Sequence, residues 1–130
     1  GDSNAAGGVV VTVKSAGGAS GLTSATVPVD SIPSSTGTMS AGTANYGLCV
    51  ATSGLTGFSR STGYVSDTCA LSSGTNGIRA LSTTPTSIVN SSGVLTNGHA
   101  EVVVNATISP TSPAHTDYTD TLTFIMTGTF

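Results

Sequence analysis

Charge is what this sequence has least of. Asp, Glu, Lys and Arg make up only 7% of its 130 residues, against roughly 25% in typical soluble domains. The whole basic inventory is Lys14, Arg60 and Arg79. Three scattered cations cannot neutralise a row of phosphates, so nucleic acid is not an expected partner. Tryptophan is absent and aromatic residues reach 5%, which removes the usual stacking platform for sugars. No apolar run approaches the roughly 18 residues that cross a bilayer, so no membrane span is expected. No apolar stripe at i, i+3, i+4, i+7 persists for three turns either, which argues against long amphipathic helices.

Catalytic groups are equally sparse. The acids are Asp2, Asp30, Asp67, Glu101, Asp117 and Asp120, and the imidazoles are His99 and His115. A glycosidase needs two carboxylates across one cleft, and Glu101 reads as a solvated side chain on the polar face of its strand. Asp117 and Asp120 flank Tyr118 at a strand entry, where carboxylates accept turn N–H bonds; clustered oxygens also suit a hard cation, but this spacing matches no calcium loop. No Gly-x-Ser-x-Gly elbow is present, so neither His99 nor His115 has an identifiable nucleophile. No catalytic site, metal or cofactor is expected.

What the chain has in abundance is hydroxyl. Ser and Thr supply 43 residues and Gly another 17, so its surface is hydrated by hydroxyls rather than charges, as is common outside the cell. Such enrichment can mark disorder, but 37% hydrophobic residues and long β-branched runs argue for strands instead. The sequence opens at Gly1 without Met, as a processed, secreted chain would. Cys49 and Cys69 bracket a loop rich in Gly, Ser and Thr. In an extracellular protein they are expected to be bridged; two free buried thiols are the alternative. A metal site lacks any ligand spacing.

Alternation of period two is clearest at the C-terminus. Tyr118, Leu122, Phe124 and Met126 fall on one face and Thr119, Thr121, Thr123 and Thr127 on the other, which predicts a strand with its apolar face in the core. Residues 100–108 repeat the pattern with Ala100, Val102, Val104, Ala106 and Ile108. Val9, Val11 and Val13 alternate with Val10 and Thr12 behind a small-residue leader. Shorter candidates lie at 22–29, 46–51, 63–66, 78–81 and 87–89, separated by Gly, Asn and Ser clusters such as residues 72–77 and Asn97-Gly98. About eight short strands in one domain predict an all-β sandwich. Asn90-Ser91-Ser92 and Asn105-Ala106-Thr107 match the glycosylation acceptor pattern, with Asn105 expected to point outward.

From Pro113 through Asp117, Tyr118, Asp120 and Thr121 to Phe124, the chain resembles the closing segment of spore-coat-U-like and chaperone–usher-type pilin subunits. Those end in a strand entered through a small-residue turn, a Tyr and an Asp-Thr pair; here His115-Thr116-Asp117 stands in place of the turn. The resemblance covers only the last 18 or so residues. It implies an immunoglobulin-like sandwich of about seven to eight antiparallel strands, completed by a strand from a neighbouring subunit. Residues 1–21 would then be an arm and tether, with Val9, Val10, Val11, Thr12 and Val13 as the donor strand, and residues 22–130 the sandwich.

The function that follows is structural: a subunit of an extracellular, self-assembled filament, a pilus or fibre that supports adhesion or biofilm. The other reading is a monomeric lectin-like or adhesin module of a surface protein. In that case Tyr46, Phe58 and Tyr64 would have to gather near the disulfide loop.

Overall fold

The alternating runs at Val9–Ser15, Val102–Thr107 and Leu122–Gly128 all pair as strands, and the result is all-β. The computed structural model describes residues 1–71 and 78–130, and the Ser/Gly cluster at 72–77 lies outside the described residues. Among the described residues nine strands follow in order: β1 (Val9–Ser15), β2 (Leu22–Ser24), β3 (Ser31–Ile32), β4 (Asn45–Val50), β5 (Ser59–Arg60), β6 (Thr86–Asn90), β7 (Val102–Thr107), β8 (Tyr118–Thr119) and β9 (Leu122–Gly128). A single 3-10 turn, Gly18–Ser20, interrupts them. These strands pair antiparallel, in three sheets ordered β5-β6-β1-β9, β3-β2-β8 and β4-β7, and one isolated bridge, Ala51 with Asp67, is parallel.

The core lies between the four-stranded sheet and the β4–β7 pair. Its main cluster joins Val13 of β1, Ile88 and Val89 of β6 and Ile32 of β3 to Tyr46, Leu48 and Val50 of β4. All six residues of β4 are buried, because it carries β7 on one side and a bridge to Arg79 on the other. Gly47 makes that second contact possible. A Cβ there would lie 2.1 Å from Ile78 Cγ2 and 2.7 Å from the Arg79 carbonyl oxygen. The disulfide Cys49–Cys69 forms a separate small cluster with Met39, Ala51 and Ile78.

Several sequence expectations change here. The 22–29 run breaks after Ser24, where Thr26 N–H and the Ser24 and Thr26 hydroxyls bond to Asp117 and turn the chain back to β3. No strand forms at 63–66; the pairing there is β5, two residues that reach β6. The 118–130 run divides into β8 and β9 because the Asp120 carboxylate accepts the Thr121 N–H at 2.8 Å.

Residues 1–21 are not a detached arm and tether. Ser3 and Leu95 exchange backbone hydrogen bonds of 2.8 and 2.9 Å, Ala5 is fully buried, and Gly7 N–H donates to the Thr129 carbonyl at 2.7 Å. Gly8, at φ 92°, brings this segment so near β6 that a Cβ would sit 2.0 Å from the Ser91 carbonyl oxygen. At the other end of β1, Gly17 N–H is held by Asp120 at 2.9 Å.

Candidate functional site: an open groove beside the last strand

The last strand carries its side chains where alternation puts them, yet they are not covered. Val13 pairs with Phe124 and Val11 with Met126 across the β1–β9 ladder, so these side chains share the inward face of the sheet. Val13 is 1% exposed; Phe124 is 49% and Met126 61% exposed. The cover is the reason. The β4–β7 pair is narrower than the four-stranded sheet, and Phe124 and Met126 on its outermost strand are left partly uncovered. The expectation that Phe124 and Met126 belong to the core is therefore corrected, whereas Leu122, nearer the sandwich, does pack against the main cluster.

Where the facing strand is missing a groove of about 600 Å³ remains, walled by Val11, Ile88 and Val89 on one side, Ala100 and Val102 on another, and Phe124 and Met126 at the rim. None of its lining residues is Asp, Glu, Lys or Arg; His99 is the sole ionisable side chain. The even face of β7 is open in the same way, with Val104 51% exposed, and Ile108 just past its end is 60% exposed.

Both strands that border the opening have an unpaired edge. Among the described residues β9 pairs only with β1, and β7 only with β4. Edge strands in monomeric proteins are normally blunted by charge, proline, a bulge or brevity. β9 runs seven residues, Leu-Thr-Phe-Ile-Met-Thr-Gly, with no charge and no proline. Ile125, on its other face, is exposed as well. The sequence placed Val11 in a donated strand and Ala100 and Val102 on the apolar face of an ordinary strand, not as groove walls, although the uncharged, proline-free run of β9 was a visible sign of an unprotected edge.

The remaining site residues fall elsewhere. Val9, Val10, Val11, Thr12 and Val13, expected to be donated, lie in the middle of their own sheet between β6 and β9, with Val9 1% exposed. Cys49 and Cys69 are bonded and buried. Tyr118 is half-buried on β8; its hydroxyl donates to the Pro113 carbonyl at 2.6 Å, and its ring meets His115 edge to face. Asn90 Nδ2 donates to Ser61 Oγ at 3.3 Å. Asn105 does not point outward: its Nδ2 donates to the Cys69 carbonyl at 2.9 Å, because the odd face of β7 looks toward the disulfide. Tyr46, Phe58 and Tyr64 pack on the main core rather than on the disulfide cluster.

The two acids at the strand entry act as clasps. Asp120 accepts the Ser15 hydroxyl at 2.5 Å, the Tyr46 hydroxyl at 2.8 Å and the Gly17 and Thr121 N–H groups. Partial burial pushes its pKa up, but these four donors outweigh it and hold the carboxyl below the usual range. Burial and the adjacent Asp120 in turn hold the Tyr46 phenol well above its usual value. Asp117 is drawn down to about 2 by the Ser24 and then the Thr26 hydroxyl. Asp30 pairs with His115 at 2.6 Å. No three His, Cys, Asp or Glu side chains converge as metal ligands among the described residues, and no described helix is long and apolar enough to cross a membrane.

The class these features define is an all-β, disulfide-bonded protein of antiparallel sheets with one open apolar side. No family model, curated protein or solved structure matches the chain.

Proposed function

We propose that the protein is a structural subunit of an extracellular filament, in which an extended strand from a second copy pairs with the open edge of β9 and covers Phe124 and Met126. The observation that carries this reading is the uncovered inward face of β9, bordered by an unpaired and unprotected edge. Strand addition supplies both things the edge lacks: main-chain partners for its free N–H and C=O groups, and apolar side chains for the groove. The immunoglobulin-like, strand-deficient sandwich of pilin-type subunits is the architecture that such assembly completes.

The occupant is an uncharged strand, since a charged side chain would be buried in a groove lined by no Asp, Glu, Lys or Arg side chain. A strand of the same chain meets that description, because all nine strands together hold only Lys14 and Arg60 as charged residues. Low net charge suits close packing of many copies, and the disulfide suits an oxidising, extracellular setting. Because β1 is already paired on both sides, it becomes a donor only by exchanging between copies, as in domain swapping.

Electron microscopy and size-exclusion chromatography of the native chain, set beside a Phe124→Lys/Met126→Lys double variant, test the proposal. Filaments or an oligomer ladder are expected from the native chain and a folded monomer from the variant. A native chain that stays monomeric at all concentrations, as a stand-alone binding module would, overturns it. So does a variant that still polymerises.

A further inference from the structure

Two of the three cations in the whole chain meet at one place. Arg60, at the end of β5, and Arg79, in the bridge to β4, line the same surface depression of about 440 Å³, whose other walls include Ser61, Thr86, Ser87 and Asn90. They are 19 positions apart in a chain of net charge −3, so the fold, not local sequence, brings like charges together. Neither guanidinium has a carboxylate partner: the one ion pair among the described residues is His115 with Asp30.

Both are nevertheless held in place by neutral oxygens. Arg60 Nε donates to the Val50 carbonyl at 3.2 Å and its Nη2 to Thr52 Oγ1 at 3.1 Å. Arg79 Nη1 donates to the Thr62 carbonyl at 2.7 Å, and its Cζ lies 5.3 Å over the Tyr64 ring. A guanidinium carries five N–H donors, so donors on each remain for an incoming group. Around them the floor is hydroxyl and amide: Ser61 and Ser87 share a short hydrogen bond, and Asn90 donates to Ser61.

We infer that this depression binds an acidic saccharide, its carboxylate or sulfate taken by Arg60 and Arg79 and its ring hydroxyls by Ser61, Ser87 and Asn90. Planar guanidinium forks match an oxyanion in two places at once. A neutral hydroxyl floor is a poor partner for a second charge but a good one for sugar hydroxyls. The depression is within the size range of small-ligand sites. The site lies apart from the β9 groove and is complete within one chain.

Titration of the full chain with glucuronic acid, glucose 6-sulfate and glucose, followed by backbone amide NMR, tests it. The two anionic sugars separate carboxylate from sulfate recognition, and glucose reports the hydroxyls alone. Shifts around Ser61, Ser87 and Asn90 are expected with at least one acidic sugar and not with glucose. They should weaken severalfold in about 0.5 M salt, and about tenfold in Arg60→Gln or Arg79→Gln. Lys14→Gln removes the same charge elsewhere and should bind like the native chain. If one glutamine variant unfolds, the other and Arg60→Lys, which keeps charge but not the fork, still read the site. Silence with both acidic sugars, equal binding of glucose, or an equal loss in Lys14→Gln overturns the assignment. Where the native chain polymerises the measurement is made on the Phe124→Lys/Met126→Lys monomer, whose changes lie in the separate groove, so its failure leaves the filament reading untouched.

Discussion

Phe124 stands directly opposite Val13 across the β1–β9 ladder, on the same face of the same sheet, and the two differ in exposure by 49% to 1%. Identical register with opposite burial means that the second layer ends between them. From that boundary come the open groove, the bare edge of β9 and the assembly proposed above.

Burial sets the first expectation. In the isolated chain Phe124→Ala should cost only about 1–2 kcal/mol, since half its surface is already in water, whereas Leu48→Ala, fully enclosed, should cost roughly 2–5 kcal/mol. Urea denaturation of both variants checks this. If Phe124→Ala cost as much as Leu48→Ala, the groove would have to be closed in solution.

Deleting residues 1–14 should abolish the cooperative unfolding transition. β1 is hydrogen-bonded on both sides and contributes Val9 and Val13 to the core; no other strand can close that gap. A synthetic peptide of residues 1–15 that restored the transition would show that β1 can be supplied from outside. A truncated chain that folded unaided would contradict the central placement of β1.

Acid should destabilise the protein by a predictable route. Asp120 and Asp117 both have folded pKa values below the ordinary carboxyl value of about 3.9. Their contribution is therefore complete above that value and lost as pH falls through the lowered one, near 2 for Asp117. Asp120→Asn should cost about 2 kcal/mol at neutral pH by weakening charge-assisted bonds from Ser15 and Tyr46. It should also flatten the acid limb of a melting-temperature profile below the ordinary carboxyl value of about 3.9. An unaltered acid limb would remove Asp120 from this role.

Two covalent or steric features of β4 give the last expectation. Replacing Cys49 and Cys69 together by Ala should cost about 3 kcal/mol by releasing a 20-residue separation in the unfolded chain. Gly47→Val should cost roughly 1–3 kcal/mol or more, because its side chain would push the Ile78–Arg79 bridge off β4. It should also weaken the acidic-sugar site by moving Arg79, which a loss of stability alone would not do. Thermal melts and the glucuronic acid titration, run on the same samples, separate the two effects.

Alternation along Val9–Val13, 100–108 and 118–130 determined by itself that the chain would be all-β and which residues share a face. The period of two is a property of the extended backbone and needs no partner. Cysteine pairing was equally accessible, since two cysteines have only one connectivity. Coverage was not accessible. Val13 and Phe124 look alike in a pattern of period two, and only the number of strands in the opposing sheet makes one core and the other rim. The same holds for β1: a β-prone run next to glycines is equally consistent with a donated arm and a central strand, and pairing on both edges decided it. Arg60 and Arg79 looked scattered because β5 and the 78–79 bridge meet through non-local contacts that no spacing encodes. Sequence specifies each strand's faces through local geometry; which faces meet, and which are left open, depends on contacts between residues far apart in the chain.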